Sequence, residues 1–196
     1  MSYTPNVGAS LCPRATPGRP YRHAGYDIMV ARRIFEALEL EWREPVARTN
    51  HVMMVNEVLP DWHKDVIRVS EFCEDGCRTR WLDSGAGPFD VYDWEDGLAP
   101  TIEQVETLRD WWRYHEGEQY GKIKYMRMLW RVFAGCDDWT KLVLIVGGFV
   151  CSSSWATAWE KAGRVLYPQL DASIITPHLI VASPRMKLVK KGWYVP

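Results

Sequence analysis

The chain has 196 residues, and its 24 Lys+Arg against 25 Asp+Glu leave a formal net charge of −1. That length fits one or two small domains, and the balanced charge lacks the basic excess of a nucleic-acid binder. Tryptophan is the unusual component, at 11 residues; its large ring and single N–H donor suit cores, protein interfaces and membrane–water boundaries alike.

Residues 1–24 carry Arg14, Arg19, Arg22 and His23 and no acidic residue, the charge bias of a mitochondrial targeting sequence. Pro5, Pro13, Pro17 and Pro20 prevent a long amphipathic helix there. With Met1 in place, an uncleaved extended arm along a partner surface is expected. A helix is predicted over 26–42, because Val30, Ile34, Phe35, Leu38 and Trp42 share one face at a period of 3.6 and Pro45 follows. Short helical or irregular pieces follow at 51–59 and 62–72. From Gly76 to Pro100 the Gly, Pro and Asp content reads as a loop or linker.

Thr101 opens the clearest helix, with Gln104 completing a capping-box pattern. Ile102, Val105, Leu108 and Trp112 mark its expected buried face, and Gly117 its stop. A second amphipathic helix is predicted at about 119–134. Asp137 and Asp138 are then suitable caps for a third.

Leu142 to Trp159 contains no charged residue. Eighteen helical residues extend roughly 27 Å, close to the roughly 30 Å of a bilayer core. Trp139 and Trp159 bracket the run as an aromatic belt would. Its seven Leu, Ile, Val and Phe side chains supply only about 2–4 kcal/mol toward insertion. Gly148, Ser152 and Ala156 recur every four residues, a small face for close helix packing. The run is therefore expected to be a single transmembrane helix packed against protein. Lys122, Lys124, Arg127, Arg131 and Lys141 precede it and only Lys161 and Arg164 follow closely, which places the N-terminal region in the matrix or cytoplasm. Pro168, Pro177, Pro184 and Pro196 predict an extended tail.

Motifs for chemistry are sparse. The five cysteines (Cys12, Cys73, Cys77, Cys136 and Cys151) form no evenly spaced framework, and most are read as reduced. Cys73 and Cys77 are compatible with a disulfide, with two ordinary thiols, or with a metal site having His63 as third ligand but no evident fourth. Asp90, Asp93, Glu95 and Asp96 form an acidic cluster read as a solvated turn or partner contact, since their spacing is not that of a calcium loop. Gly117 to Lys122 has the wrong spacing for a phosphate loop. Ser152, Ser153 and Ser154 have no histidine or acid nearby in the chain, and no G-x-S-x-G is present. The histidines (His23, His51, His63, His115 and His178) are scattered and read as structural.

From Leu98 onward the order of features resembles cytochrome c oxidase subunit four. Thr101–His115 looks like its matrix helix, Asp138-Trp139-Thr140-Lys141 like the entry to the span, and Trp159-Glu160-Lys161 with Leu166-Tyr167-Pro168 like the exit. The resemblance covers about half the chain, and single-span accessory subunits of complex I share the plan. It implies a non-catalytic accessory subunit of a mitochondrial inner-membrane respiratory complex. Such a subunit binds no cofactor and no small-molecule substrate, and has other subunits and the lipid bilayer as partners.

The expected fold is mostly α. It comprises an extended arm (1–24), a small helical or irregular region with linker (25–100), amphipathic helices (101–136), the transmembrane helix (137–165) and an extended tail (166–196). The alternative is a soluble helical interaction protein of a multi-protein or viral particle, with 142–159 as a buried core helix.

Overall fold

Val52, Met53, Met54 and Val55 are all buried. Four consecutive buried residues cannot lie on one helical stripe, but they suit a strand covered on both faces. In a computed structural model, which describes residues 3–14, Arg32, Phe35, Glu36, Glu39, Glu41, 51–60, 65–73, 75–121 and 150–196, this segment is the second of six strands. The strands are β1 (Ser10–Pro13), β2 (Met53–Pro60), β3 (Asp65–Cys73), β4 (Gly76–Trp81), β5 (Phe89–Trp94) and β6 (Met186–Trp193). They form one antiparallel sheet in the order β4-β3-β2-β1-β5-β6. The described helices are α1 (Ile102–Tyr114), α2 (Cys151–Lys161) and α3 (Pro177–Ala182), with a 3-10 turn at Ala172–Ile174.

The pleat sends alternate residues to two separate cores. Cys12, Val52, Met54, Phe72, Tyr92 and Trp94 meet the helices through Leu108, Trp112, Trp155, Trp159, Leu179 and Ile180. Leu11, Met53, Val55, Ile67, Val69 and Val91 pack on the opposite face with Phe89, Trp193 and Val195.

Helix α1 starts where its capping box predicts: the Thr101 hydroxyl accepts from Gln104 N–H, and the Gln104 side chain accepts from Thr101 N–H. Leu108 and Trp112 form its buried stripe, whereas Ile102 is 67 % exposed. The Trp112 indole donates to the Met54 sulfur at 3.0 Å. Gln104 donates to the Ala162 carbonyl, tying α1 to the end of α2.

Indoles fix α2 to the sheet. Trp94 stacks on Trp155 at 6.0 Å and meets Trp159 edge-on at 5.3 Å. The Arg164 guanidinium lies over both Trp94 and Trp159. Trp159 also donates to the Gly8 carbonyl at 3.1 Å.

These observations correct the mostly α expectation. Residues 51–59 and 62–72 supply β2 and β3, and the supposed linker at 76–100 supplies β4 and β5. The arm at 1–24 contributes β1, which lies in the middle of the sheet between β2 and β5. The tail at 166–196 is folded into the 3-10 turn, α3 and β6.

The transmembrane helix is corrected as well. Val150 is extended (φ −114, ψ 165), so α2 begins at Cys151 and the run from Leu142 to Trp159 is not one helix. No helix among the described residues is long and apolar enough to cross a membrane. The apolar character of this part of the run goes instead into the core, where Trp155, Ala156, Ala158 and Trp159 are buried. The helical-particle alternative falls with it, since the core is built on a sheet and no helix covers 142–159. Trp139, Gly148 and the helix expected at 119–134, apart from its first residues, lie outside the described residues, as does most of the helix expected at 26–42; within the latter, Arg32, Phe35 and Glu36 are helical.

Gly8 has φ +83, and a Cβ there would collide with the Trp159 ring. Gly8→Ala is expected to lower unfolding stability by about 2–4 kcal/mol, measured by urea denaturation. A change under about 0.5 kcal/mol, the ordinary surface value, would show that the indole does not need this approach.

Candidate active site

Met54 pairs with Ser70 and Val55 with Val69 across β2 and β3. Continuing that register to Met53, the first residue of β2, brings Glu71 opposite it and one pleat from His51, which precedes the strand. The His51 imidazole donates from Nε2 to Glu71 Oε2 at 2.8 Å. The other Glu71 oxygen, Oε1, accepts from Arg78 Nε at 3.0 Å and from Arg80 Nε at 2.9 Å. Arg78 is the direct cross-strand partner of Glu71 on β4. The Glu71 side chain is 4 % exposed and that of His51 is 21 % exposed, so a buried carboxylate supports a partly buried imidazole.

The Cys151 thiol lies close enough to the His51 imidazole to raise its pKa. With Nε2 directed to Glu71, Nδ1 is the ring nitrogen left for the thiol. Cys151 is the first residue of α2. Val150 before it has no side-chain oxygen to cap the helix. Cys151 therefore stands at the positive end of the helix dipole.

The serines that follow serve the backbone. Ser152 donates to the Ile175 carbonyl at 2.7 Å, Ser154 to the Cys151 carbonyl at 2.7 Å, and Ser153 accepts from Val150 N–H at 3.1 Å. They hold the start of α2 in place.

Electrostatics acts strongly on His51 and Glu71. Burial works against charge on His51, but attraction and hydrogen bonding from Cys151, then from Glu71, outweigh it and push its pKa from 6.5 up to about 10. Burial likewise opposes ionisation of Glu71, yet hydrogen bonds and charge from His51 and Arg80 bring its pKa from 4.5 down to about 2. Two thiols, Cys12 and Cys77, are held in their neutral form. Burial, with Asp90 and Cys151 nearby, pushes Cys12 well up, and burial with Glu116 and Glu118 pushes Cys77 up to about 12. A thiol held neutral is a poor nucleophile.

The residues singled out in the sequence are dispersed. Cys73 and Cys77 are free thiols at the β3–β4 turn. His63 lies outside the described residues. Asp90 pairs with Arg14, Asp93 accepts from Asn6, and Asp96 lies by Arg164, so the acidic cluster is divided among separate structural contacts. Ser152 and Ala156 are buried within this chain's own fold, and Trp159 lies in its core. Among the described residues, no group of three or more His, Cys, Asp or Glu is arranged to hold a metal ion. Sequence reasoning missed Cys151, His51 and Glu71 as a set. The available signal was a cysteine opening a helix in a chain that also holds histidines, but distance along the chain gives no pairing.

No protein-family model matches the chain, and no curated protein matches it. Among solved structures, the fold is similar to the crystal structure of metalloprotein yiiX from Escherichia coli O157:H7, DUF1105. The TM-score is 0.55 at 13 % identity, over 97 % of this chain and 99 % of that one. At that identity the likeness concerns the fold alone. Together with the sheet, it replaces the resemblance to cytochrome c oxidase subunit four, the respiratory accessory role and the inner-membrane location.

The shifts predict a pH window for stability. His51 binds its proton more tightly when folded, so its contribution is complete below pH 6.5 and is lost as pH rises toward about 10. Glu71 holds its proton less tightly when folded, so its contribution is complete above pH 4.5 and is lost as pH falls toward about 2. The Tm difference between wild type and His51→Ala is therefore expected to be largest between pH 4.5 and 6.5 and to shrink on both sides. A difference independent of pH would contradict the charge pairing.

Proposed function

We propose that this protein is a thiol-dependent acyl-transfer enzyme, a hydrolase of amides, esters or thioesters. Cys151 is the nucleophile, His51 the acid–base group, and Glu71 the residue that orients and charges the imidazole. One observation carries the reading: a single histidine is hydrogen-bonded to a buried carboxylate at 2.8 Å and lies within electrostatic reach of a cysteine at the first position of a helix. Nucleophile, base and orienting acid in that order are the general requirement for covalent catalysis at a carbonyl. This reading departs from the sequence expectation of a non-catalytic chain.

In the reaction His51 takes the Cys151 proton and the sulfur attacks the carbonyl carbon. The carbonyl oxygen gains the negative charge, and the N–H groups at the start of α2 are suited to receive it. His51 then gives its proton to the leaving nitrogen, oxygen or sulfur, and a thioester to Cys151 remains. Water attacks that thioester with His51 taking its proton, which releases the acid and restores the thiol.

The structural neighbour is called a metalloprotein. A cation is disfavoured beside Glu71 here, because two guanidiniums already occupy one carboxylate oxygen and would repel it.

The test uses iodoacetamide at one equivalent, with peptide mass spectrometry of all five cysteines, and generic thioester and ester substrates. Cys151 is expected to be the thiol modified first. His51→Ala is expected to slow its modification and substrate hydrolysis by roughly 10²–10⁴-fold, and Cys151→Ala to abolish turnover. EDTA is expected to leave both rates unchanged. Cys151 reacting no faster than Cys12 or Cys77, or no faster than in His51→Ala, would overturn the assignment.

A further inference from the structure

The catalytic reading leaves two arginines unexplained. Arg78 and Arg80 lie on the outer strand β4, and both direct Nε at the same oxygen of Glu71, at 3.0 and 2.9 Å. A structural ion pair needs one cation. Here one carboxylate oxygen holds two, while its other oxygen is reserved for His51. The arginine side chains are 45 % and 41 % exposed, whereas that of Glu71 is 4 % exposed. Water therefore reaches the guanidiniums but hardly reaches the carboxylate.

Resting on the proposed triad, we infer that Arg78 and Arg80 are positioning residues of the catalytic centre, which lock Glu71 in its ionised form and aim its free oxygen at His51. A carboxylate so little hydrated would favour its neutral form if left alone. His51 by itself is a weak guarantee, since its charge depends on Cys151 and on Glu71 in turn. Two guanidiniums, charged at every working pH, remove that circularity. Planar donors on one oxygen also fix the rotation of the carboxyl group, which a point charge does not.

Among the described residues, the groups around Glu71 are His51 ahead of β2, Arg78 and Arg80 from β4, and beyond them Cys151 near His51, Cys73 near Arg78, and Asp75 at 4.0 Å from Arg78. Asp75 is 87 % exposed and, at 4.0 Å, competes only weakly with Glu71 for Arg78. Arg80 further reaches the Met53 sulfur at 3.9 Å, which fixes its stem along the strand face.

The experiment compares wild type, Glu71→Gln, Arg78→Gln/Arg80→Gln, Arg78→Lys/Arg80→Lys and the triple Gln variant, all in the full chain. The readout is the pH profile of Cys151 alkylation by iodoacetamide, with His51→Ala as reference. Neutralising both arginines is expected to move the acidic midpoint up by about one pH unit or more, because protonated Glu71 no longer supports the imidazolium. The double lysine variant is expected to recover at least half of that shift through its charge. On the Glu71→Gln background the arginine changes are expected to alter the rate by less than about twofold, as groups acting through one residue do.

A purely structural role would lower the reactive fraction without moving the midpoint. A midpoint identical to wild type, or an arginine effect that persists undiminished without Glu71, overturns the inference while leaving the triad standing. The triad itself fails if wild-type Cys151 reacts no faster than in His51→Ala. Should the double Gln variant not fold, Arg80→Gln alone carries the same comparison.

Discussion

Trp155 and Trp159 stand one turn apart on α2, and both rings lie against Trp94 of β5. That contact determines where the helix sits on the sheet, and with it where the helix begins. Burying rings of this size fixes position as well as energy, because offset and edge-on contacts tolerate little sliding. The Trp159 indole also needs a hydrogen-bond partner, and it has one in the Gly8 carbonyl, just ahead of β1. A residue near the N-terminus thus helps to place Cys151, and the bare backbone at Gly8 is the space the ring occupies.

A second constraint runs across the sheet. Antiparallel register fixes which side chains meet, and a slip of one residue would turn every one to the other face. The β2–β3–β4 register sets His51, Glu71 and Arg78/Arg80 in a row, so one carboxylate touches an imidazole on one side and guanidiniums on the other. A buried carboxylate is tolerable only with such partners. The charges are therefore arranged by the same ladder that holds the core.

Parts of this were legible in the chain. The capping box at Thr101 and Gln104 starts α1 as read, and Leu108 and Trp112 face inward. The strands were not legible. Residues 52–55 are buried on both faces, so they lack the alternation that marks a half-exposed strand. β4 and β5 sit in a stretch crowded with Gly, Pro and Asp, whose turn signals hid the short runs between them. The run from Leu142 was read as a span because length and apolarity are all that hydropathy weighs. A buried helix of a globular core satisfies both, and an extended residue at Val150 is not visible in composition.

The sequence by itself determined the local pieces: the α1 cap, the inward stripe of that helix, the near-neutral charge and the abundance of indoles that a core or an interface would use. Only the tertiary structure decided which of those it was, and that Cys151, His51 and Glu71, far apart in the chain, come near one another. The reason is physical. Caps and periodicity arise from contacts a few residues apart, whereas this site depends on strand register and indole packing between segments distant in the chain, which no local pattern encodes.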